Sequence, residues 1–118
     1  WTTSRDLARL GVLHLNDGVW EGERILPKGW GEYVSTPAPV QPPVGGRFPG
    51  YGAQWWLFNE RFPEVPNDAY AAMGNRGQFL LVIPSKNLLI IRRGHDPAGG
   101  ERFQLHDFAA AVLAALEE

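Results

Sequence analysis

Cysteine is missing from this sequence, methionine occurs once, and neither sign of charge dominates. The absence of cysteine excludes disulfides and thiolate metal sites but leaves the compartment open, because an exported chain need not contain cysteine. Eleven Lys and Arg stand against thirteen Asp and Glu, scattered along the chain, for a formal charge of −2. With no basic tract there is no electrostatic footprint for nucleic acid or an anionic membrane surface. No run reaches the roughly 18 apolar residues of a membrane-spanning helix. Internal repeats, low-complexity tracts, heptads and metal-ligand spacings are likewise missing, so no cofactor or metal is expected.

What is there suits one modest domain. At 118 residues and 44% hydrophobic, the chain is long enough to bury about two-thirds of its unfolded surface. It opens on Trp1, at an apparent helix entry, which reads as a fragment, a processed product or part of a longer polypeptide.

The chain is organised around Tyr70 to Arg93. Two apolar runs, Phe79 to Ile83 and Leu88 to Ile91, flank Pro84-Ser85-Lys86-Asn87, and predict two strands joined by a tight turn. Near-continuous Leu, Ile and Val imply that both faces are covered, so the hairpin belongs inside a sheet carrying helices on at least one side.

Upstream, Thr3 is a candidate cap for a helix over about Ser4 to Leu15, with Leu7, Leu10 and Leu13 at helical spacing. Asn16-Asp17-Gly18 ends it, and a short extended connection leads to a small helix near Gly29 to Val34. Residues 35–50 contain five prolines and three glycines, which discourages helix and central strand. Val40, Val44 and Phe48 are the expected anchors of this loop on the body. Tyr51 to Phe58 reads as one strand, with Tyr51, Ala53, Trp55 and Leu57 on one face and Gln54, Trp56 and Phe58 on the other. Asn59 to Asp68 is a loop, Ala69 to Met73 a strand of small residues, and Gly94 to Glu101 a connection. Phe103 to Leu116 carries a broad apolar helical stripe, with fraying expected at Glu117 and Glu118. The regions are thus a helical entry (1–34), a proline-rich loop (35–50), and sheet with terminal helix (51–118), an α+β fold with a predominantly antiparallel sheet and flanking helices.

Side chains offer little obvious chemistry. His14, His95 and His106 are dispersed and read as surface or satisfied histidines. Asp17, Glu21 and Glu23 lack the arrangement of a paired acid and base. Ser4, Ser35 and Ser85 lie in no Gly-x-Ser-x-Gly elbow, and none is followed three residues later by Lys. Gly74-Asn75-Arg76-Gly77-Gln78 differs, because it sets polar groups between glycines at the edge of the central sheet. Its main-chain N–H groups are candidate donors to a developing oxyanion, with Asn75 and Arg76 as candidate substrate contacts and Gly77 permitting close approach. A strand start or bulge with incidental polar residues explains the same pattern. Trp56 is a candidate cleft wall, or simply core.

Several phrases also carry a family pattern: T-T-S-R-D-L-A-R-L-G, L-N-D-G-V-W-E-G-E-R-I-L-P, Y-G-A-Q-W-W, and G-N-R-G-Q before an apolar hairpin with Pro84. In this order they resemble the C-terminal part of serine β-lactamase and penicillin-binding-protein-like hydrolases, in the branch of class C β-lactamases, carboxylesterases and 6-aminohexanoate-dimer hydrolases. The resemblance implies a partial β-lactamase/transpeptidase-like fold and cleavage of a small-molecule ester or amide through a serine acyl-enzyme. The nucleophile would lie in a Ser-x-x-Lys box and the proton-transfer tyrosine in a second box, both in a missing N-terminal portion. Asn75, Arg76 and Gly77 fall on the third box, and the Gln78 backbone N–H falls where the family places an oxyanion donor. Asn75 departs from the usual lysine, which favours a general esterase, peptidase or amidase over a dedicated β-lactamase. A catalytically inactive binding or regulatory relative and an independent small α+β interaction domain are the competing readings. The parent protein is thus expected to be an enzyme and this chain alone not; bacterial cytoplasm and periplasm both stay open.

Overall fold

The computed structural model describes residues 2–45 and 48–117. Trp1, the Gly46-Arg47 part of the proline-rich loop, and the Glu118 end lie outside the described residues.

The first element is α1 (Ser4–Leu15), with the bounds its pattern predicts. Thr3 caps it: the Oγ1 accepts the Asp6 N–H at 3.1 Å, satisfying one of the amides a helix start leaves unpaired. Two short antiparallel strands follow, β1 (Val19–Trp20) and β2 (Glu23–Arg24), then α2 (Trp30–Val34).

The main sheet has five antiparallel strands in sequence order: β3 (Gly50–Tyr51), β4 (Trp56–Leu57), β5 (Tyr70–Gly74), β6 (Gln78–Ile83) and β7 (Leu88–Arg92). The chain ends in α3 (Leu105–Leu116). In the central hairpin Phe79 pairs with Arg92 and Ile83 with Leu88, around a 3-10 turn over Pro84–Lys86. Asn87 closes that turn at φ 48°, a conformation Asn tolerates better than most residues.

Why β6 does not alternate between apolar and polar is visible in its neighbours. Leu81 and Ile83, with Ala71 and Ile90, pack under Leu105 and Ala109 of α3. Leu80 and Val82, with Tyr70, face the other way and meet Leu15 and Leu89 on the α1 side. Each face of the central strands therefore has its own buried cluster, as the period-2 geometry of a strand covered on both sides requires. Helix α1 lies close against the sheet at Gly11, where a Cβ would stand 2.8 Å from a Leu89 methyl.

Three expectations are corrected. Tyr51 to Phe58 is not one strand: β3 and β4 are paired halves of a small hairpin, Gly50 opposite Leu57 and Tyr51 opposite Trp56. The chain turns at Gly52, whose N–H donates to the Trp55 carbonyl at 2.8 Å. A Cβ at Gly52 would lie 2.0 Å from the Val34 carbonyl oxygen, so glycine alone fits against the end of α2. Trp55 and Leu57 still share the α1-side cluster, as alternation implies, while Phe58 joins the opposite one.

Val40 and Val44 do not anchor the proline-rich loop, at 86% and 83% exposure, whereas Phe48, half exposed, packs edge-on against Trp56. Polar side chains hold it as well. Gln41 donates through Nε2 to the Ala38 and Tyr51 carbonyls, both at 2.7 Å, and accepts the Tyr51 N–H at 2.9 Å. Arg61 donates to the Pro42, Phe48 and Pro43 carbonyls at 2.9, 3.3 and 3.4 Å. Prolines lack the N–H that would pair neighbouring strands, so their carbonyls need donors from outside the backbone ladder. Finally, the small-residue strand runs Tyr70–Gly74, one residue later than expected. No helix among the described residues is long and apolar enough to cross a membrane.

Candidate functional site

Asn75, Arg76 and Gly77 form the three-residue turn between β5 and β6, closed by the Gly74–Gln78 pair. Arg76 and Gly77 both adopt left-handed backbone, with φ 63° and 86°. A side chain at Gly77 is impossible without movement, since its Cβ would lie 2.1 Å from Arg92 Nη1 and 2.4 Å from Asp96 Oδ2.

Those two neighbours clamp the turn. Arg92 donates through Nη1 to the Gly77 carbonyl at 2.9 Å and through Nη2 to Asp96 Oδ1 at 2.8 Å, with its guanidinium 4.3 Å from the centre of the Phe103 ring. Asp96 also accepts the Phe103 N–H at 3.3 Å. The Arg92 hydrogen bond, helped by the Phe103 amide and by the charges of Arg92 and Arg102, holds the Asp96 carboxyl below its ordinary 3.8 against the opposing effect of burial. Arg76 adds two contacts, its carbonyl accepting the Asp96 N–H at 3.0 Å and its Nε donating to the Asp96 carbonyl at 2.9 Å. The turn is therefore pre-organised by charge-assisted bonds from β7 and the loop after it.

Asn75, Arg76 and Gly77 border a cavity of about 350 Å³ whose apolar wall includes Met73, Phe79 and Phe103. Gln78 and Trp56 do not line it. The Gln78 amide instead grips the chain beyond β7: Nε2 donates to the Gly94 carbonyl, and Oε1 accepts the Gly94 N–H at 3.1 Å and Arg93 Nε at 3.2 Å. Trp56 packs edge-on against Tyr51 and Phe48, with ring centres 4.7 and 5.4 Å away. The register bears on Gln78's main chain as well. Gln78 is paired with Gly74 where the two strands meet the turn. Among the described residues, no acceptor takes the N–H of Asn75, Arg76 or Gly77.

Two of the three serines are occupied locally, and Ser4 is exposed at the start of α1. Ser35 Oγ donates to the Gly31 carbonyl at 2.8 Å, and Ser85 donates its hydroxyl and its N–H to the two Asp68 oxygens at 2.9 and 2.7 Å. His14 lies against the Trp55 ring, 4.8 Å between centres. His106 is buried at the start of α3, near the carboxylates of Glu64 and Asp107. The Arg92–Asp96 clamp had a readable trace, two opposite charges four residues apart, but nothing in the sequence ties either to Gly77. Glu64 lies too far from His106 along the chain for spacing to link them.

An antiparallel sheet with flanking helices, seen together with its structural neighbour, is part of a β-lactamase-like fold. No family model matches the chain. It is 32% identical over 117 residues to 6-aminohexanoate-dimer hydrolase of Paenarthrobacter ureafaciens, covering 94% of this chain and 28% of that protein. An uncharacterized protein of Alkalihalophilus pseudofirmus is 27% identical over 111 residues, 87% of this chain and 32% of the relative. A solved structure of a candidate 6-aminohexanoate-dimer hydrolase from Bacillus anthracis superposes with a TM-score of 0.63 at 25% identity, over 98% of this chain and 28% of that one. The chain belongs to the β-lactamase-like hydrolase family and spans under a third of the length of these relatives.

Proposed function

We propose that this chain is the C-terminal portion of a serine hydrolase that cleaves an ester or amide through an acyl-enzyme, and that the 74–78 turn borders its cleft and supplies one oxyanion donor. The observation that carries this reading is a turn clamped by Arg92 and Asp96 whose own amides have no protein acceptor among the described residues. Rigid, unspent N–H groups are what stabilises a developing oxyanion without reorganisation in the transition state. The Paenarthrobacter relative is named for hydrolysis of a 6-aminohexanoate dimer, which supports an amide as the substrate type here.

In this proposal a serine Oγ from a Ser-x-x-Lys box elsewhere in the protein attacks the substrate carbonyl carbon. The carbonyl oxygen takes the negative charge, and collapse expels an amine or alcohol that leaves protonated; water then releases the acid. Gln78, expected as the donor, is paired with Gly74 in the sheet register; the neighbouring Asn75 amide, which has no acceptor among the described residues, is the donor proposed here, with the Gln78 amide as the alternative. Gln78 keeps the turn in place by holding Gly94. Arg76, anchored through Nε, presents its terminal nitrogens to an anionic substrate group, and Gly77 lets the substrate approach. Trp56, packed on Tyr51 and Phe48 outside the cavity lining, is the outlying member of this set, which only a substrate extending beyond the cavity would meet.

The test is replacement of single backbone amides by esters in the intact protein. Removing the Asn75 N–H is expected to lower the acylation rate about 10²–10³-fold, while Gln78→Ala retains most activity. Unchanged acylation with the ester at 75 rejects the assignment, and a large loss with the ester at 78 alone returns the donor role to Gln78.

A further inference from the structure

Glu64 lies in the loop between β4 and β5, and His106 and Asp107 lie in the first turn of α3. Folding brings one ligand atom from each within 4.8 Å of the others. His106 Nε2 stands 3.4 Å from Asp107 Oδ1 and 3.9 Å from Glu64 Oε1. Its side chain is only 10% exposed, and among the described residues it makes no hydrogen bond. The Phe62 ring, 4.9 Å away, packs against the imidazole and fixes its plane.

A buried imidazole without a hydrogen bond, directed at two carboxylates, is an arrangement that a divalent cation completes. Zinc binds His nitrogen at about 2.0–2.1 Å and carboxylate oxygen at about 2.0–2.2 Å. Four-coordinate geometry then sets neighbouring ligands about 3.3–3.6 Å apart; the His106–Asp107 separation of 3.4 Å falls in that range, whereas Glu64, 3.9 Å from His106 in a cluster bounded at 4.8 Å, has to draw in around the ion. Mixed nitrogen and oxygen donors suit zinc, cobalt or nickel better than calcium or magnesium, which favour all-oxygen shells.

We infer that Glu64, His106 and Asp107 form a binding site for a zinc-class divalent cation, with the fourth position open to water on the exposed Asp107 side. Such an ion ties the β4–β5 loop to α3 at one wall of the cavity, to which His106 contributes. The site is independent of the acyl-transfer proposal, since it uses none of the residues of the 74–78 turn.

The experiment is titration of the EDTA-treated, dialysed intact protein with Co²⁺, followed by visible d–d absorption. Saturation at one equivalent is expected, with an intensity typical of four-coordination and loss of the band on adding Zn²⁺. His106→Ala should abolish the band, Glu64→Gln and Asp107→Asn should each weaken binding by at least about tenfold, and His95→Ala should leave it unchanged. Circular dichroism of the metal-free variants separates lost ligands from lost fold. A band that survives His106→Ala, or no band at millimolar Co²⁺ in the folded wild-type protein, overturns the site.

Discussion

Tyr70 brings a phenol into the α1-side cluster at 1% exposure, with its ring edge-on to Trp55 at 5.0 Å. Burial is the main cause that pushes the hydroxyl up from 10.0 to about 12, and the carboxylates of Asp68 and Asp17 add to it. The sign of the stability effect follows. The folded value is the higher one, so Tyr70's contribution is complete below pH 10; above it the unfolded chain releases the proton first, and stability falls until the folded group also ionises near 12. Tyr70→Phe keeps the ring and removes the titration. Urea unfolding of the intact protein across this alkaline range is expected to show a shallower decline for the variant than for the wild type. Parallel curves would mean that the phenol titrates normally and that the cluster is wetter than its burial indicates.

At the scale of elements, the same helix that contributes His14 to this cluster rests on the sheet through a glycine. A Cβ at Gly11 meets the ends of Leu89 and Leu80, at 2.8 and 3.1 Å. Those ends are flexible, and alanine raises helix propensity by about 1 kcal/mol over glycine, so Gly11→Ala should be close to neutral. Gly11→Val adds two branches to the same gap and should cost about 1–3 kcal/mol by overpacking. Equal denaturation midpoints for the two variants would show that α1 stands further from β6 and β7 than the structure has it. The contrast illustrates which features were readable beforehand. Thr3 as cap, the bounds of α1 and the Pro84–Asn87 turn were legible because residues within one turn decide them. The β3–β4 hairpin was not, because the need for Gly52 arises from the Val34 carbonyl of another element. The polar anchors of the proline-rich loop were missed for a related reason: apolar side chains were expected to hold it, whereas its unpaired carbonyls recruit Gln41 and Arg61. In the candidate site, glycines around polar residues marked the turn. Its clamp by Arg92 and Asp96, and the meeting of Glu64 with His106, depend on tertiary contacts that no spacing encodes.

For the whole molecule, the deciding fact is that the chain corresponds to under a third of its relatives. Two features bear on whether the site is complete within these residues. Large apolar side chains stay open to solvent at Ile25 after β2, Tyr33 in α2 and Leu116 in α3, at 56%, 60% and 64% exposure; singly such residues are ordinary, and a contiguous apolar face would mark contact with another surface. In addition, Ser35 and Ser85 are engaged with a carbonyl and a carboxylate rather than with a base, so neither is placed as an activated nucleophile. An oxyanion donor without a nucleophile binds and orients but cannot form a covalent intermediate. The 118-residue polypeptide prepared alone should therefore take no covalent adduct from a fluorophosphonate and should bind an environment-sensitive hydrophobic dye. The intact protein should be labelled once, at a serine outside these residues, and bind the dye weakly. Mass spectrometry of both after labelling decides between the readings: an adduct on the short chain would mean that it houses its own nucleophile, and an unlabelled intact protein with a normal fold would favour a binding relative of the hydrolases over an enzyme.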